Sequence, residues 1–137
     1  MVKRFVMWLF ATPANNRSAG VIWWWELRRI PFNIIVGLYG LVCLMIFFIA
    51  IEASGHLEPG EDAIEPIALL FAPIAINVLY TLGWLVEIPT RMIAPNLSPS
   101  FGPTLLKLGL GMGLALISFP PAFWIVKLLI GVAYSLF

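Results

Sequence analysis

The sequence predicts an all-α integral membrane protein. Three transmembrane helices, the third kinked at Pro120-Pro121, follow a short interfacial amphipathic helix. Three observations carry this. First, 61% of the 137 residues are hydrophobic and only 11% are charged, against roughly 25% charged residues in a soluble domain. Second, the mean hydropathy is +0.98, too apolar for a soluble fold, a disordered chain or a nucleic-acid-binding module. Third, windows without Asp, Glu, Lys or Arg occupy residues 31–51, 66–86 and 108–126. At 1.5 Å per residue these span about 28–32 Å as helices, close to the ~30 Å hydrocarbon core. Lipid offers the backbone no hydrogen-bond partner, and the windows lack the alternation of a barrel strand, so helices are the economical reading.

The elements follow in order. Residues 1–31 form a cytoplasmic, interfacial segment. Within it the apolar run 5–11 is too short to span, and Thr12-Pro13-Ala14 is a poor signal-cleavage site, so the run is expected to lie on the membrane. Ser18 is placed to cap a short helix through Arg29. That helix carries Trp23, Trp24 and Trp25 beside Arg28 and Arg29. Tryptophan favours the headgroup layer and arginine binds phosphate there, so these five residues are expected to anchor the chain to lipid. Pro31 is expected to separate this helix from the first crossing, 32–51. The acidic outer loop 52–65, the second crossing 66–88, the Pro-rich inner loop 89–103, the third crossing 104–127 and an apolar tail 128–137 complete the chain.

Charge placement orients it. Lys3, Arg4, Arg17, Arg28, Arg29, Arg91 and Lys107 fall on one side of this topology and only Lys127 on the other, while the 52–65 loop holds five acids and no Lys or Arg. The basic side is expected to be cytoplasmic, with the N-terminus inside and the C-terminus outside. The stretch 104–137 is long for one crossing and short for two. A third helix ending near Lys127 is preferred over a re-entrant hairpin, because Lys107 and Lys127 then snorkel to opposite interfaces.

The second crossing carries the polar chemistry. At 100° per residue Pro73, Asn77, Tyr80, Thr81, Trp84 and Glu87 share a face about 120° wide. A lone amide in lipid is costly, so this face should point into protein or a wet cavity. It either hydrogen-bonds to a neighbouring helix or lines a path through the membrane. Glu87 precedes Arg91 by four residues, but Pro89 between them makes helical pairing uncertain, and Arg28 or Arg29 at the same depth are alternative partners. Gly109 and Gly113 form a GxxxG pair, and Gly37 and Gly40 a weaker small-residue face. Both suit close helix packing.

Catalytic and metal chemistry are not expected. The single cysteine, Cys43, lies mid-helix. The single histidine, His56, sits in the outer loop with Glu52, Glu58, Glu61 and Asp62 but without the spacing of a calcium loop. No histidine lies in a crossing to ligate haem. The Asn96-Leu97-Ser98 sequon is inert on a cytoplasmic loop. No cofactor is expected; bound lipid is, and a pigment or quinone contact inside an energy-converting complex is a special case.

Two segments, Trp23-Trp24-Trp25-Glu26-Leu27-Arg28-Arg29 with Asn33, and Asn77-Val78-Leu79-Tyr80-Thr81-Leu82-Gly83-Trp84 with Glu87, resemble a family of short bacterial polytopic membrane proteins with no assigned activity. The likeness covers the first two crossings and implies a bacterial inner (cytoplasmic) membrane. The expected role is a small accessory or structural subunit that packs against larger membrane-protein partners or itself, without nucleic acid. The alternative is a homo-oligomeric channel, transporter or membrane-disrupting effector lined by the second helix.

Overall fold

The computed structural model describes residues 1–14, 17–54 and 66–135. The chain is all-helical: among the described residues there are four helices, α1 (Val2–Leu9), α2 (Ser18–Ser54), α3 (Pro66–Ile93) and α4 (Phe101–Ser135). The last three are long and apolar enough to cross a membrane. Most of the outer loop, His56 and four of its five acids included, lies outside the described residues.

Each long helix outruns the crossing expected of it, and its internal prolines do not stop it. Pro31, Pro73, Pro89, Pro120 and Pro121 all lie inside helices. An internal proline costs about 3 kcal/mol through a lost bond and a clash. Unwinding a turn in an apolar setting strands several backbone groups at several kcal/mol each. Continuing the helix is cheaper. Pro31 therefore does not separate an anchor helix from the first crossing: residues 18–54 form one helix of 37 residues, about 55 Å long. The separate leading helix is α1 instead. The inner loop shrinks from 89–103 to 94–100, because α3 runs through Pro89 to Ile93 and Pro103 sits in the tolerant first turn of α4. Most of the tail 128–137 is helical too, and α4 passes through Pro120-Pro121 without forming a hairpin.

Side-chain contacts fix the relative directions. Tyr39 meets Ser118 at 2.6 Å and Phe47 faces Trp124 at 6.5 Å between ring centroids, so α2 and α4 run parallel. Trp25 meets Glu87 and Asn33 meets Asn77, so α3 runs antiparallel to α2. The buried cluster of Leu9, Val21, Trp24, Trp25, Phe32, Val36, Tyr80 and Leu106 gathers at the end where α1 docks. The far half of α3 is different. Residues 70–75 are all exposed, with Leu70 at 72% and Phe71 at 59%. They touch neither α2 nor α4 closely enough to be covered.

Candidate functional site

Three polar clusters hold the α1 end of the bundle together. The first is built on Arg28, which is only 4% exposed. Its Nε donates to the Leu9 carbonyl and its Nη2 to the Trp8 carbonyl, both at 2.7 Å, and Nη1 donates to the Trp24 carbonyl at 3.0 Å. A helix ends with carbonyls that lack intrahelical partners; here an arginine from another helix donates to two of them, and the Trp8 carbonyl also accepts from Ala11 N–H at 3.2 Å. The guanidinium also lies 4.0 Å from the Trp24 ring centroid and 4.9 Å from that of Trp8, a cation–π arrangement. Trp24 Nε1 donates to the Ala11 carbonyl at 2.7 Å. α1 is thus strapped to α2 at its carboxyl end.

The second cluster centres on Glu87, which is fully buried. Its carboxylate accepts from Trp25 Nε1 at 2.7 Å and from Arg91 Nε at 2.8 Å. Because α3 stays helical past Pro89, the partner is Arg91 at i+4, not Arg28 or Arg29. Two glycines make room for this node. A Cβ on Gly102 would stand 2.5 Å from Glu87 Oε2, and one on Gly83 would collide with the Trp25 ring. Tyr80 completes it, donating to the Trp25 carbonyl at 2.5 Å and meeting the Trp25 ring edge-on.

The third cluster lies in the α2–α3 seam. Asn33 and Asn77 exchange amide hydrogen bonds at 3.0 and 3.1 Å. Arg29 Nη2 donates to Thr81 Oγ1 at 3.1 Å and Nη1 approaches Asn77 Oδ1 at 3.4 Å. Arg29 is also doubly bonded to Glu26, through Nε at 2.8 Å and Nη2 at 2.7 Å. A shallow groove of about 420 Å³ opens here, lined by Arg29, Pro73, Ile74, Asn77, Val78 and Thr81.

These positions revise several expectations. Of the five residues assigned to a lipid anchor, Trp23 is turned outward at 67% exposure, while Trp24, Trp25 and Arg28 are buried in protein contacts. The reason is the continuous α2: successive residues point 100° apart, so three adjacent tryptophans cannot share one membrane-facing side. On α3, Asn77, Tyr80, Thr81 and Glu87 all meet α2, whereas Trp84 Nε1 is buried with no hydrogen-bond partner among the described residues. The sequence leaves open whether the helix that packs on its glycine faces belongs to this chain. A Cβ on Gly37, Gly40, Gly109 or Gly113 would meet nothing within 4 Å, so no helix of this chain packs closely on them. Gly83 and Gly102, which no GxxxG spacing marks, are the close-approach glycines. Gly109 and Gly113 instead border an apolar pocket of about 220 Å³ between the long helices, with Trp25, Tyr80, Gly83 and Leu106. Among the described residues no group of His, Cys, Asp and Glu is arranged to hold a metal ion.

No family model matches this chain, and no curated protein or solved structure is significantly similar to it. The reading of the site therefore rests on its geometry.

Proposed function

We propose that this protein is a small integral membrane accessory subunit that packs against a larger membrane protein or a second copy of itself. The observation that supports this reading is the unfilled glycine face of α4. Gly109 and Gly113 have the spacing at which helices approach closely, yet a Cβ on either meets nothing within 4 Å, and both border an open apolar pocket. The exposed far half of α3 adds a second uncovered apolar surface. The reciprocal Asn33–Asn77 amides and the Arg29–Thr81 bond tie α3 to α2, which favours a structural, non-enzymatic role over a conduit lined by α3. In this reading α1 lies in the cytoplasmic interface of a bacterial inner membrane, with the N-terminus inside, the C-terminus outside and α4 bent at Pro120-Pro121.

The test is the native mass of the protein extracted from its own membranes in mild detergent, with every co-purifying chain identified. Co-migration with larger subunits, lost in Gly113→Leu, is the expected result. A monomer unchanged by Gly113→Leu overturns the reading. A discrete homo-oligomer whose liposome flux falls in Asn77→Leu replaces it with the conduit.

A further inference from the structure

The Arg29–Glu26 pair has chemistry that the bundle does not use. Each Glu26 oxygen accepts one bond from Arg29, and a carboxylate oxygen has lone pairs for more. Arg29 Nη1 makes only the long 3.4 Å contact to Asn77, which leaves donor capacity facing the groove. Arg29 and Glu26 keep 25% and 40% of their side-chain surface exposed; Arg29 lines the groove with Pro73, Ile74 and Val78, and Glu26 adjoins it through its pair with Arg29. Ionisable side chains on a membrane-spanning helix that face a cavity are by default a functional-site hypothesis.

The order of the charges along the helix selects a ligand. Glu26 lies three residues nearer the start of α2 than Arg29, about 4.5 Å along the axis. The apolar stretch begins just after Arg29. The positive group is therefore nearer the hydrocarbon and the negative group nearer water, whichever way the chain is oriented. Ile74 and Val78 lie beyond Thr81 in the direction of the hydrocarbon, and both are 58% exposed. A phospholipid lying in the groove has its acyl chains toward the hydrocarbon, its phosphate at the boundary and its headgroup amine outermost.

We propose that the α2–α3 groove is a binding site for an aminophospholipid. Arg29 Nη1 donates to the phosphate, Glu26 accepts from the primary ammonium, and one acyl chain runs along Ile74 and Val78. Neither step breaks the Arg29–Glu26 pair. An anionic glycerol headgroup meets Arg29 but also the Glu26 carboxylate, and a quaternary ammonium has no N–H to donate. The site thus discriminates by headgroup. The inference rests on the reading that α2 and α3 cross a bilayer, and it is independent of what covers α4.

The test is native mass spectrometry of the full-length protein, released from nanodiscs holding equal parts of dioleoyl phosphatidylethanolamine, phosphatidylglycerol and phosphatidylcholine. Phosphatidylethanolamine is expected to be retained about fivefold over either competitor, a factor equivalent to about 1 kcal/mol. Glu26→Gln brings the ratio to near one, while a Lys3→Gln, Arg4→Gln double variant leaves it unchanged. Arg29→Gln lowers retention of all three; if that variant fails to fold, Glu26→Gln still decides. Equal retention of the three lipids by the wild type, or a preference that survives Glu26→Gln, overturns the proposal. If the chain leaves the membrane fraction in an alkaline wash, the membrane reading itself has failed, and that result is distinct from lost headgroup preference.

Discussion

Adding one methyl group to Gly102 tests whether the buried Glu87 node holds the bundle together. The built Cβ falls 2.5 Å from Oε2 and 2.8 Å from Oε1 of Glu87. That carboxylate is fully buried and bonded to Trp25 and Arg91, so it must move. Moving it stretches the Trp25 bond, a hydrogen bond to a charged group worth about 1.5–3 kcal/mol. Helix propensity acts in the opposite sense: Gly→Ala in a helix stabilises by at most about 1 kcal/mol, and less this close to the start of α4. The net expectation for Gly102→Ala is a loss of about 0.5–2 kcal/mol. Gly113→Ala is the internal control, because a Cβ there meets nothing within 4 Å and only the propensity gain remains. The assay is thermal or denaturant unfolding in one detergent, followed by circular dichroism and tryptophan fluorescence. If Gly102→Ala is as stable as Gly113→Ala, or more stable than wild type, the close approach of α4 to Glu87 is wrong.

Two further predictions concern the other clusters. Arg28→Gln removes the charged donors from the Trp8 and Leu9 carbonyls; amide exchange in residues 2–11 is expected to accelerate while that of α2 and α4 holds, and unchanged protection of α1 would rule out the strap. Asn77→Leu leaves Asn33 without its reciprocal partner, at a cost of about 0.6–2 kcal/mol. The Asn33→Leu, Asn77→Leu double variant should cost less than the sum of the single changes, and strict additivity in the unfolding cycle would exclude a direct amide pair.

The sequence by itself determined the all-helical architecture, the number of long apolar helices and the helix that carries the polar face. Each depends on a local quantity: charge-free length, average hydropathy, or the 100° turn per residue that aligns Asn77, Tyr80, Thr81 and Glu87. Helix ends were less legible. Proline is a local signal for stopping, but the cost of unpaired backbone in an apolar setting is set by the surroundings, and it carried α2 through Pro31 and α3 through Pro89. Only the tertiary structure decided which side chains meet. Gly109 and Gly113 have the motif, yet Gly83 and Gly102 have the neighbours, because a close approach is a property of two surfaces and a motif describes one. In the same way, Arg28 and Arg29 are adjacent in sequence and identical in type. One is buried as the clasp of α1 and the other opens onto the α2–α3 groove, a distinction made by where α1 and α3 pack against α2.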